Sequence, residues 1–100
     1  MDDDYKNDPE FQQLIVKYLD YVMGNIPDVL SNLAAGNFKA VYKFGHNLKG
    51  TGAGYGFDQF TATGKQIMEF AEAEDADALT TALDQLQHDL NVEHAHLSSG

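Results

Sequence analysis

The stretch Asp8-Pro9-Glu10-Phe11-Gln12-Gln13-Leu14-Ile15-Val16-Lys17-Tyr18-Leu19-Asp20-Tyr21-Val22 decides the fold class. Its apolar positions Phe11, Leu14, Ile15, Tyr18, Leu19 and Val22 continue as Ile26, Val29, Leu30 and Leu33, in steps of three, one and four that trace one helical stripe and no strand alternation. Asp8-Pro9-Glu10 signals a helix start: a capping carboxylate, a proline where no N–H is needed, and an acid near the positive end of the dipole. Pro27 lacks an N–H and crowds the preceding turn, so this helix is expected to be kinked or divided near Gly24-Asn25-Ile26.

Working outward, Ala34-Ala35-Gly36-Asn37 reads as a stop and a new cap, since Gly tolerates the left-handed conformation and Asn caps the helix that begins at about Phe38. Beyond a glycine cluster ending at Gly56, Phe60, Ile67, Phe70 and Ala71 mark a third helix, with Gly64 at a close helix contact. Glu74-Asp75 breaks and recaps it, and Leu79, Ala82, Leu83, Leu86 and Leu90 define a last helix running to Leu97. No segment reads as a strand. Amphipathic helices on short connections bury their stripes only against one another, which predicts an all-α fold, an antiparallel four-helix bundle. Residues 9–97 are expected to form that single domain, behind an acidic, disordered tail over residues 1–8. Phe and Tyr on the stripes read as core, with Tyr able to leave its hydroxyl in water.

Composition narrows the function. The 100 residues carry 16 acids against 6 bases, a formal charge of −10, and every cation is a lysine. Such a surface repels phosphate backbones and anionic lipid, which argues against nucleic acid and membranes as partners. Without Cys there is no disulfide framework or thiolate metal site, so packing alone must hold the fold. Met1-Asp2-Asp3-Asp4 is acidic where a signal peptide is basic, and no apolar run approaches the ~18 residues of a membrane span. A cytoplasmic, free-standing monomer is the expectation.

Two local features depart from that background. From Val29 through Phe57 there is no Asp or Glu, while Lys39, Lys43 and Lys49, half of all the cations, fall in that interval. A solvated face has no packing reason to exclude carboxylates, whereas a face that receives an anion does. In addition Gly45, Gly50, Gly52, Gly54 and Gly56 crowd the end of the second helix, where each interior Gly costs about 1 kcal/mol relative to Ala. Close packing or a helix end accounts for such residues, Gly54 and Gly56 above all, and an approach to the backbone from outside accounts for others.

Helical periodicity joins the two. At about 100° per residue, Phe38, Val41, Phe44, Gly45 and Leu48 cluster on the core side, and His46 points roughly 140° away from it. Lys39, Lys43, Gly50 and Ala53 share the outward sector, with Lys49 on its flank. An imidazole is substantially neutral and nucleophilic near pH 7, and Lys49 would offset the charge of a phosphoryl group placed on it.

His46-Asn47-Leu48-Lys49-Gly50, continued by Thr51-Gly52-Ala53-Gly54-Tyr55-Gly56-Phe57, resembles the signature of histidine-containing phosphotransfer (HPt) domains. That signature is a His, any residue, an apolar residue, Lys, Gly, a small residue, and a further Gly six positions on before an apolar helix start. The resemblance extends over roughly Glu10 to Leu90, through the breaks at Gly36-Asn37 and Ala73-Glu74-Asp75. It implies an HPt-like bundle in which His46 is the phosphoacceptor through Nε2, Lys49 stabilises the phosphohistidine, and Gly50 keeps the ring accessible. It further implies docking around His46 and the first helix, for which Lys39, Lys43 and Ala53 are the partner-binding candidates. The implied partners are response-regulator receiver domains and a hybrid histidine kinase in a two-component phosphorelay. The carrier would have no kinase or phosphatase activity and no cofactor of its own, the Mg²⁺ belonging to the receiver. Gly52 and Gly54 depart from the family pattern, which more often has small or polar helix formers there.

Competing motifs fail on spacing. Gly50 and Gly52 are followed five residues on by Tyr55 and Phe57, not Gly, and Thr51 stands where a P-loop needs its lysine. His94 and His96 would point about 200° apart on a helix, which leaves His88, His94 and His96 a poor tetrahedral set; no metal site is expected. Asp75 and Asp77 lack the Gly and terminal Glu of an EF-hand loop. The alternatives are a bundle of the same shape that blocks or scaffolds a kinase or receiver without being phosphorylated, and, behind it, a helical metal-binding bundle using His88, His94 and His96.

Overall fold

A computed structural model of the chain describes residues 8–99. Among them are four helices and no strand: α1 (Pro9–Ala34), α2 (Phe38–Gly54), α3 (Asp58–Glu72) and α4 (Ala76–Ser99). The tail expected over residues 1–8 falls, apart from Asp8, outside the described residues. α1 starts as its sequence dictates, with the Asp8 carboxylate accepting from the Glu10 N–H at 2.9 Å.

Three-residue links join the helices, and all three are the same turn. The residue after each helix cap takes a positive φ, at Gly36 (76°), Gly56 (82°) and Glu74 (53°). The next N–H then reaches back to a carbonyl five residues earlier: Asn37 to Asn32 at 2.8 Å, Phe57 to Gly52 at 2.8 Å and Asp75 to Phe70 at 3.0 Å. Asn37 and Asp75 go on to cap the following helix through Ala40 and Ala78. One turn thus ends a helix and starts the next.

All four helices feed one core, in which Leu19, Val41, Phe60, Ile67, Leu79, Leu83, Leu86 and Leu90 are almost wholly withdrawn from water. Buried Thr63 returns its hydroxyl to the Gln59 carbonyl at 2.9 Å. No buried side-chain nitrogen or oxygen among the described residues lacks a partner. No described helix is long and apolar enough to cross a membrane.

Three expectations need correction. α1 is not divided near Gly24-Asn25-Ile26 but runs unbroken through Pro27. Pro27 is exposed, so its ring meets water, while Val22, Ile26, Val29 and Leu33 hold both halves of the helix to the core. Leu14 (53%) and Leu30 (41%) are exposed, because they lie about 100° and 60° from the middle of the buried stripe, on its flanks. The last helix reaches Ser99, beyond the end expected at Leu97.

Candidate functional site

The acid-free interval contains the whole of α2, whose inner and outer faces are built differently. Inside, Val41, Gly45, Leu48 and Gly52 are buried. A Cβ on Gly45 would stand 2.8 Å from Ile67 Cγ2 and 2.9 Å from the Gly64 carbonyl oxygen. A Cβ on Gly64 would stand 2.6 Å from both the Gly45 carbonyl oxygen and the Lys49 nitrogen. These separations are shorter than any real Cβ contact, so α2 and α3 meet backbone against backbone. The close contact expected at Gly64 is therefore present. Gly52 extends it, wedged at 2.9 Å from Phe60 Cβ and 3.0 Å from the Thr61 nitrogen.

On the other flank α2 meets α1 through hydroxyls and rings. The Tyr18 hydroxyl and Thr51 Oγ1 are 2.9 Å apart, and Thr51 Oγ1 also lies 2.9 Å from the Asn47 carbonyl. The Tyr18 ring stacks on Tyr55 with centroids 4.3 Å apart at 11°, and Phe57 packs beside both Tyr18 and Phe60. Burial pushes the Tyr18 phenol above its ordinary value; the Thr51 hydrogen bond lowers it in part and Tyr55 raises it again. The Tyr18 hydroxyl finds its partner in Thr51.

Packed on both flanks, α2 presents one side to solvent. His46, Lys39, Lys43, Lys49, Gly50 and Ala53 are all exposed there, over about 21 Å of helix. Among the described residues no carboxylate forms an ion pair with any of these lysines or with His46; the described ion pair is His94 with Asp20. Gly50 is unlike Gly45 and Gly52, because nothing lies within 4 Å of a Cβ built on it. The same is true of Gly54, where close packing gives way to the other expected reason, the C-terminal end of α2; Gly56 follows it with a positive φ. The turn carrying His46 and Lys49 is fixed from behind, by Gly64 against the Lys49 backbone and by the Thr61 hydroxyl donating to the Lys49 carbonyl at 3.2 Å.

Chemically, the face offers an accessible imidazole, an unpaired ammonium one helical turn along and open space beside both. Tyr18 and Thr61, which help hold this helix in place, carry no motif that singles them out in the sequence, and Thr51 enters the motif only as a small residue, with nothing that announces its hydrogen bond to Tyr18. His94, a member of the alternative metal set, has its Nε2 2.9 Å from an Asp20 oxygen, and among the described residues no group of three or more His, Asp or Glu is placed to hold a metal. No protein-family model, no curated protein and no solved structure matches this chain.

Proposed function

We propose that this chain is a histidine phosphotransfer protein that relays a phosphoryl group between receiver-domain aspartates, with His46 as the acceptor. One observation carries the proposal: an exposed imidazole stands on a face with three lysines and no carboxylate, in a protein whose net charge is −10. In the transfer the Nε2 lone pair of neutral His46 attacks phosphorus in line. The Nε2–P bond forms as the bond from phosphorus to the aspartyl oxygen breaks, and the receiver's aspartate leaves as a carboxylate. The ring keeps its proton on Nδ1, so no general base is required. Lys49 offsets the charge of the bound phosphoryl group, and Mg²⁺ comes with the receiver.

The same proposal takes the bundle as HPt-like and antiparallel, for which the three short links give support, with α1 bent at Pro27. It takes the protein as a cytoplasmic monomer whose partners are response-regulator receivers and a hybrid kinase, docking across Lys39, Lys43 and Ala53. Incubation with an aspartyl-phosphorylated receiver is expected to label the chain with an acid-labile, base-stable phosphate. His46→Gln is expected to abolish labelling with helicity unchanged by circular dichroism. Labelling that persists in His46→Gln, or its absence with a full panel of receivers, overturns the assignment.

A further inference from the structure

A second site lies where α2 ends. Between the start of α1, the end of α2 and the end of α4 there is a cavity of about 320 Å³, within the size range of small-molecule sites. Phe11, Ile15, Tyr55, Phe57 and Leu97 give it apolar and aromatic walls, and Glu93 stands in the lining. We propose that this cavity binds a small organic cation, an ammonium group carried on an aromatic or aliphatic body.

Three independent features select that charge. Glu93 contributes a carboxylate, of which Oε2 is held by the Gln59 side-chain amide at 3.2 Å. The C-terminal end of α2 lines the cavity through Ala53, Gly54, Tyr55 and Gly56. The Thr51, Gly52 and Ala53 carbonyls are taken up by the Tyr55, Phe57 and Gly56 N–H groups, while among the described hydrogen bonds none reaches the Gly54 or Tyr55 carbonyl, so the negative end of the helix dipole is only partly compensated there. Aromatic rings attract a cation through their quadrupole. Among the described residues no lysine or histidine lines the cavity.

Gly54 is the second line of evidence. It is exposed, has no atom within 4 Å of a built Cβ and has no positive φ. It is the last residue of α2 and forms part of the cavity wall, with open space beside it for a side chain.

The proposal does not depend on phosphotransfer by His46, and its test uses the full chain, uniformly labelled with ¹⁵N. Titration with 2-phenylethylammonium is expected to shift the Gly54 and Gly56 amide resonances saturably, while isosteric 2-phenylethanol and phenylacetate bind more weakly or not at all. Glu93→Gln, which can keep the contact to Gln59, should weaken the ammonium by about fivefold. Gly54→Leu should fill the cavity and abolish binding, with the melting temperature retained. Equal binding of the alcohol and the ammonium, an affinity unchanged in Glu93→Gln, or no saturable shift at all overturns the proposal. So does a marked gain of affinity on removing residues 1–7, which would identify that segment as the natural occupant.

Discussion

Gly45 and Gly50 sit five residues apart in one helix and are glycine for opposite reasons. At Gly45 a single added carbon would collide with the backbone of α3, whereas at Gly50 it would meet nothing within 4 Å. The inner face of α2 is specified by packing; the outer face gives up helix propensity that folding has no reason to forgo. The sharpest way to break this contrast is Gly64→Ala. Its Cβ would fall 2.6 Å from two backbone atoms that no rotamer change can move, so α2 and α3 must separate. A loss of about 3 kcal/mol is expected, net of the gain in helix propensity, measured by urea unfolding. A loss under about 1 kcal/mol would mean that the two helices are less tightly keyed than the contrast requires.

The inner face was legible in the sequence because periodicity reports on burial directly. Val41, Gly45 and Leu48 were placed on the core side by spacing alone, and Gly64 was placed at a helix contact by its position inside an apolar stripe. The turns were equally legible at Gly36 and Gly56, where a positive φ selects glycine, and at Glu74 only through the capping Asp75 beside it. Periodicity could not separate the edge of a stripe from its middle, so Leu14 and Leu30 were assigned to the core with their neighbours. Nor could it find pairs distant in sequence: nothing local to Tyr18 announces Thr51, 33 residues on. Pro27 shows a third limit, since local propensity argues for a break that burial on both sides of the proline outweighs.

That hydroxyl pair tests the other flank of α2. In Tyr18→Phe the Thr51 hydroxyl keeps its bond to the Asn47 carbonyl, so no buried group is orphaned and the loss is expected to be about 1 kcal/mol. The substitution should also change the alkaline limb of the stability profile. With its phenol raised above the ordinary 10.0 by burial, Tyr18 is protonated in the folded state where the unfolded chain has begun to ionise. Its stabilising contribution is therefore complete below the unfolded value and is lost as pH climbs toward the folded one. Unfolding free energies measured from pH 8 to 11 should fall less steeply in Tyr18→Phe than in the parent; identical slopes would show that this phenol is not the titrating group.

On the outer face the expected sign reverses. Gly50→Ala meets no neighbour and gains helix propensity, so it should stabilise the protein by about 0.5 to 1 kcal/mol. If the missing side chain serves access to His46, the same substitution lowers the rate of phosphoryl labelling several-fold. Greater stability with slower transfer would separate a residue kept for function from one kept for packing. Greater stability with an unchanged rate would remove Gly50 from the site while leaving His46 in it.

The smallest effect is expected far from α2, where His94 and Asp20 tie α4 to α1 across the surface. Their side chains are 31% and 61% exposed, so water screens the pair and competes for both groups. Asp20→Asn keeps a side chain able to meet the ring by hydrogen bonding, and its cost should stay below about 0.5 kcal/mol at pH 7. The value of this variant is as a control on the glycine contact. Both Gly64 and Asp20 make a contact between helices in the folded protein, yet one contact is between backbones that cannot yield and the other between side chains that can. If Asp20→Asn costs as much as Gly64→Ala, the stability of the bundle rests on its surface ties, and the outer face of α2 loses its claim to be the part that folding leaves free.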